Sequence, residues 1–146
     1  MIVQVAGLRL LPPSARKPKR IKEACRRTLK NEKADGFGEL NIVFLGRKEM
    51  RALNKRYLVH DYDTDVIAFP YASPAAVGRG RDKPFGDVFI SVHQAKIQAE
   101  ELGHPLLTEV LTLVIHGTLH LLGYRDDTPR RKAAMFRAQD RLLRAL

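Results

Sequence analysis

Pro105-Leu-Leu-Thr-Glu-Val-Leu-Thr-Leu-Val-Ile-His116-Gly-Thr-Leu-His120-Leu-Leu-Gly123 is the stretch on which the rest of the chain is organised. Leu106, Leu107, Val110, Leu111, Leu113, Val114, Ile115, Leu119 and Leu121 spread round nearly the whole helical circumference. A surface helix keeps one polar side. A helix that is apolar nearly all round has to be wrapped by other elements. Pro105 suits a first turn and Gly123 a helix end. The spacing therefore predicts a helix from Pro105 through Leu121, buried in the middle of a domain and rigid enough to carry a site.

That helix holds two polar intruders. His116 and His120 are four residues apart, so their side chains stand one turn apart on the same face. This is the spacing by which two imidazoles share one tetrahedral ion. Gly123 can adopt the left-handed conformation that reverses the chain, which brings Asp126 back towards the histidines as a third ligand. Three protein ligands leave a fourth position for water, the arrangement of a catalytic zinc site. The bland alternative, two packed core histidines, fits the bare H-x-x-x-H pattern. It does not account for the nearby carboxylate, nor for two rings on a greasy helix whose nitrogens need partners. In the zinc-peptidase pattern H-E-x-x-H the glutamate is the general base. Gly117 occupies that position here, which points the chemistry away from peptide hydrolysis.

Working outward, Ile2 to Leu10 alternates and is expected to be a strand, broken by Pro12-Pro13. Ile21, Ala24, Cys25 and Leu29 follow at helical spacing. Glu39 to Leu45 reads as a strand, Arg47 to Leu58 as a helix, Val59 to Asp63 as a polar loop and Asp65 to Phe69 as a short strand. Tyr71 to Phe85, with two prolines and two glycines, is a loop too long for a mere connector. Gly86 to Ser91 is a strand, and Ser91 can cap a helix that runs to Gly103. Thr128-Pro129 opens a last basic amphipathic helix. The alternation of strands and helices predicts an α+β fold. It is one domain over residues 1–146, a small mixed sheet covered by helices, with a zincin-like metal helix in the core.

The chain is basic, with 26 lysines and arginines against 16 acids and a formal charge of +10. That excess favours polyanions. It is also clustered. Between Arg16 and Lys33 the only acids are Glu23 and Glu32, and a second basic group runs from Arg125 to Arg144. Arg16, Lys19, Arg20, Arg27, Arg56, Arg79, Arg81 and Arg125 are the candidate RNA contacts. One cysteine, Cys25, excludes an internal disulfide and suits a reducing compartment. No run has the length of a membrane span and no opening segment reads as a signal peptide, so the expected location is the cytoplasm.

The stretch His116 to Asp126 resembles the signature of the YbeY endoribonucleases, H-G-x-L-H-L-x-G-Y-D-H, with matches at His116, Gly117, Leu119, His120, Leu121, Gly123 and Tyr124. Leu53-Asn54 with Tyr57, Thr64 to Phe69 and Gly86 to Ser91 resemble three further family motifs in the same order. The resemblance implies a metal-dependent, single-strand-acting endoribonuclease. It also implies maturation of the 3′ end of 16S ribosomal RNA and ribosome quality control, with the ribosome or its assembly proteins as partners. It implies one divalent ion, foremost Zn2+, held by His116, His120 and the residue at 126. Asp126 stands where the family has a third histidine. A carboxylate is a competent zinc ligand, and a harder one that also suits Mn2+. Leu58 stands where the family carries an arginine, with Arg56 or the loop arginines Arg79 and Arg81 as the candidate substitutes.

Asp65 and Asp127 are candidates for the general base by position, and Asp87 for a hydrogen bond to a metal histidine. His60, His93 and His104 lie outside the motif and read as surface or packed residues. Three functions stay open: the endoribonuclease, a zincin-like metallopeptidase opposed by Gly117, and a non-catalytic ribosome-associated RNA-binding factor in which the metal is structural.

Overall fold

A computed structural model describes residues 1–36, 38–58, 62–71 and 84–146. The elements run β1 (Ile2–Ala6), α1 (Pro18–Asn31), β2 (Glu39–Leu45), α2 (Arg47–Leu58), β3 (Val66–Pro70), β4 (Pro84–Ser91), α3 (Val92–Leu102), α4 (Leu106–Leu121) and α5 (Pro129–Arg144). The strands form one four-stranded sheet in the order β1-β2-β4-β3. β1–β2 and β2–β4 pair parallel, and β3 pairs antiparallel on the outer edge of β4. The α+β expectation holds, with a mixed sheet and five α-helices among the described residues.

β2 shows why the sheet has a buried face. Leu40, Ile42 and Phe44 alternate with partly exposed neighbours, so every second side chain enters the core. The sequence-based strand Ile2–Leu10 is too long. It ends at Ala6, because Gly7 turns left-handed at φ 79° and Leu8–Leu10 form one turn of 3-10 helix. A Cβ at Gly7 would overlap the carbonyl oxygen of Phe44, so only glycine fits where the chain leaves β1 against β2. β3 starts one residue later than the expected Asp65 and runs on through Pro70. That proline is the last residue of this edge strand, where a missing N–H is tolerated. The expected loops at Val59–Asp63 and Tyr71–Phe85 lie largely outside the described residues.

α4 is the buried helix that the sequence predicts, one residue shorter because Pro105 is its N-cap. It touches α1, α3, α5, β3 and β4. Val110, Val114, Ile115 and Leu119 are fully buried in the single core cluster. Truncating Leu119 to alanine would cost about 2–5 kcal/mol, from lost transfer energy and the cavity left behind. Two glycines let the helix lie close on the sheet. A Cβ at Gly117 would overlap Val88 Cγ1 and lie 3.0 Å from Val66 Cγ2. One at Gly86 of β4 would lie 2.7 Å from Leu121 Cδ2. α3 is capped by Ser91, whose hydroxyl accepts from Gln94 N at 3.1 Å, and ends at Gly103 with φ 67°. Among the described residues no helix is long and apolar enough to cross a membrane.

Candidate metal centre

The last turn of α4 sets up the site through backbone geometry. Gly123 takes φ 97°, its N–H donates to His120 O at 3.0 Å, and Tyr124 N–H donates to Leu119 O at 3.0 Å. These two bonds are a Schellman motif, which caps the orphan carbonyls and turns the chain back. The reversal leaves the Tyr124 carbonyl 3.0 Å from His120 Nδ1. A carbonyl only accepts, so His120 carries its proton on Nδ1 and offers a lone pair at Nε2. The Tyr124 hydroxyl donates to Glu32 Oε1 at 3.0 Å, which ties the bend to the end of α1.

α5 orients the other ring. Thr128 caps it by accepting from Arg131 N at 3.2 Å, and Pro129 starts its first turn. Gln139 is buried on its core face and presents Oε1 at 2.7 Å to His116 Nδ1. His116 therefore also points a lone pair from Nε2. The two Nε2 atoms lie 3.1 Å apart, and Asp126 Oδ2 lies 3.8 Å from His116 Nε2 and 3.6 Å from His120 Nε2. Three acceptor atoms thus converge with no donor among them. Either a shared proton or a cation resolves such a contact. At His120, burial and then the neighbouring His116 hold the ring below its ordinary value, against the pull of Asp126.

The spacing fits a metal. With Zn–N near 2.0–2.1 Å, tetrahedral ligand atoms sit about 3.3–3.4 Å apart. His116, His120 and Asp126 are the cluster among the described residues that could hold a metal ion. The His116 and His120 side chains are 15% and 28% exposed and Asp126 is 46% exposed, so the point where the three atoms converge is open to water on the aspartate side.

The other expected residues fall elsewhere. Asp127 forms ion pairs with Arg125 at 2.9 Å and Arg131 at 3.1 Å, and the Arg131 hydrogen bond leads in holding its carboxyl below the usual range. Asp65 caps the start of β3 through Val66 N at 2.7 Å and accepts from Gln98 at 3.2 Å. Asp87 lies between Gly86 and Val88, whose α carbons face α4, so its side chain is on the opposite face of the sheet. There it accepts from Asn41 at 3.0 Å and Tyr71 at 2.8 Å, away from His116 and His120. The groups that do orient those histidines are Gln139 and the Tyr124 carbonyl. Gln139 had a signal in sequence. It is a polar residue in register with Met135, Ala138 and Leu142 on the buried face of α5.

Of the candidate RNA contacts, Lys19 and Arg20 are exposed on α1. The Arg16 guanidinium is engaged by backbone, donating to Leu11 O at 2.7 Å and Leu8 O at 3.2 Å. Arg27 pairs with Glu23 at 2.9 Å and donates to the Ala145 carbonyl. Arg56 lies 5.3 Å from the Tyr57 ring centre, and Arg125 pairs with Asp127. Arg79, Arg81 and His60 lie outside the described residues. His104 is held 2.7 Å from the buried Glu109, and Cys25 is buried, its thiol pushed up to about 12 by desolvation.

A mixed sheet backed by a buried helix, with two histidines and a carboxylate converging at that helix's end, defines an α+β domain with a candidate metal centre. The chain belongs to the YbeY endoribonuclease family, whose description, Endoribonuclease YbeY, matches residues 13–146. It is 46% identical over 98 residues to the Endoribonuclease YbeY of Elusimicrobium minutum, covering 67% of each chain. It is 38% identical to that of Acholeplasma laidlawii, covering 84% of this chain and 82% of the relative. The solution structure of a Thermotoga maritima protein has the same fold, with a TM-score of 0.65 over 97% of this chain and 87% of that one, at 24% identity.

Proposed function

We propose that the chain is a metal-dependent, single-strand-specific endoribonuclease acting in ribosomal RNA maturation at the 3′ end of 16S RNA and in ribosome quality control. In this reading it is a single metallohydrolase domain over residues 1–146, cytoplasmic, with the ribosome or its assembly proteins as partners. The observation that carries it is the convergence of His116 Nε2, His120 Nε2 and Asp126 Oδ2 in a chain of this family.

His116, His120 and Asp126 would hold one divalent ion, foremost Zn2+. When bound, the ion supplies Lewis-acid polarisation of a phosphoryl oxygen and activation of water. The chain's own residues do the rest. Gln139 and the Tyr124 carbonyl fix both imidazoles with Nε2 towards the ion, the orientation by which outer groups tune a metal ligand. The wet side at Asp126 leaves room for a phosphodiester. Exposed cations, Lys19 and Arg20 on α1 and Arg130 in the first turn of α5, offer phosphate contacts that position the strand.

The peptidase reading is opposed by packing. The position of the peptidase glutamate is Gly117, where even a Cβ would overlap Val88. No general base for peptide hydrolysis fits there without moving α4 off the sheet.

Incubating the purified chain with structured and single-stranded RNA, with and without chelator, tests the proposal. Cutting of single strands that chelator abolishes and Zn2+ restores is the expected result. Binding without cutting would favour the non-catalytic RNA-binding factor, for which the exposed Leu58 in place of the family arginine is the supporting feature. Casein cleavage would favour the peptidase.

A further inference from the structure

The face of α4 that carries His116 continues towards the start of the helix. Glu109, Thr112 and His116 follow at helical spacing and line a groove of about 340 Å3. That is the small end of ligand pockets, which run from roughly 300 to 1,000 Å3, and it suits one flat ring system rather than a length of strand. The groove shares His116 with the metal centre, so its occupant would sit next to the ion.

Its chemistry is one-sided. Gln98 Nε2 donates to Asp65 Oδ2 and to Glu109 Oε1, both at 3.2 Å. His104 Nε2 lies 2.7 Å from Glu109 Oε2. Two carboxylates from different elements are thereby fixed side by side: Glu109 is buried with both oxygens engaged, and the partly exposed Asp65, whose Oδ1 also accepts from Val66 N, lines the groove with its remaining lone pairs. Among the described residues no lysine or arginine lines the groove. A phosphate would be repelled there, and a group rich in N–H donors would be drawn in. The groove also has an apolar wall. Phe136 of α5 is 40% exposed, its ring centre 6.1 Å from that of His116. Lys132 Nζ lies 5.9 Å from the same ring and adds a cation at the edge. An exposed aromatic ring beside fixed acceptors is how proteins hold an unstacked base by its face and its edge.

We propose that this groove seats the nucleobase beside the scissile phosphate and favours guanine. Only guanine among the four bases offers two adjacent N–H donors, N1–H and the N2 amine, to match the two oxygens of one carboxylate. Adenine and cytosine offer one exocyclic amine. Uracil has a single N3–H flanked by carbonyls, which would face the carboxylates. The choice of a nucleobase rests on the endoribonuclease reading. The groove's demand for a stacked N–H donor does not.

The test is a nuclear magnetic resonance titration of the full chain, loaded with Zn2+, against guanosine, inosine, uridine and Mg2+, following the ring signals of Phe136 and His104. Guanosine should shift them saturably and bind about tenfold more tightly than uridine, the discrimination of one good bidentate pair. Inosine, without the N2 amine, should fall between. Asp65→Asn should shrink the guanosine preference. Phe136→Leu should weaken every nucleoside while zinc content stays unchanged. Equal response to guanosine and uridine, no response at Phe136, or signals that move with Mg2+ and not with guanosine would each overturn the proposal. The titration needs no turnover, so a chain that cuts no RNA would count against the endoribonuclease reading alone.

Discussion

The Tyr124 carbonyl lies 3.0 Å from His120 Nδ1, so the bend that ends α4 also sets the tautomer of the helix's last histidine. Helix termination and imidazole orientation are here set by one piece of backbone. The left-handed Gly123 permits both.

Gly123→Ala is the direct probe of that coupling. A Cβ at Gly123 would meet nothing within 4 Å, so the cost is purely conformational. It should be about 1–2 kcal/mol, the penalty of an L residue in the left-handed region. Thermal unfolding should show that loss. Equilibrium dialysis should show weaker Zn2+ binding as well, because the carbonyl that aims His120 shifts with the turn.

Gln139 gives the matching test on α5. Gln139→Leu keeps the buried volume and removes the acceptor for His116 Nδ1. Zn2+ affinity, measured by competition with a chromogenic chelator, should fall about 10–100-fold, the usual effect of losing a group that orients a metal ligand. Gln139→Glu keeps an acceptor and should retain most of the affinity.

Gly117 tests the packing argument against peptidase chemistry. Gly117→Ala should destabilise the fold by about 1–3 kcal/mol, since the added methyl meets Val88 and Val66. Gly117→Glu restores the H-E-x-x-H pattern on paper. It should melt far below the parent in differential scanning fluorimetry and cut no casein.

The pH dependence has a definite sign. Burial, then the neighbouring His116, hold His120 below its ordinary value of 6.5. The unfolded chain therefore binds more protons near and below pH 6.5, and stability rises with pH there. His120's contribution is fully present above 6.5 and is lost as pH falls through the lower folded value. Urea unfolding of the metal-free chain between pH 7.5 and 5 should show this loss. His120→Gln should show a flatter slope over the same window.

Much of this is legible in the sequence, because the decisive signals are local. Apolar residues all round Leu106–Leu121 can only mean a buried helix, and residues 116 and 120 must share a face at 3.6 residues per turn. Ser91, Gly103 and Thr128 likewise mark their helix ends by their own chemistry. What stayed hidden depends on distant contacts. The insertion of β4 between β2 and β3 is set by tertiary packing, not by any strand's own pattern. β1 looked too long because the alternation continues past Gly7, whose turn is dictated by the backbone of Phe44. Gln139 lies 23 residues from His116, so its role shows only once α5 is folded against α4. Asp87 shows the converse. It is a candidate hydrogen-bond partner of a histidine by sequence, yet strand alternation turns it to the other face of the sheet.

The most direct test of the metal centre is anomalous diffraction at the zinc edge, from crystals of protein purified without chelator and soaked in Zn2+. A single peak should appear roughly 2.0–2.2 Å from His116 Nε2, His120 Nε2 and an Asp126 oxygen, and vanish in His116→Ala. No peak there after soaking, or an equal peak persisting in His116→Ala, would contradict the account.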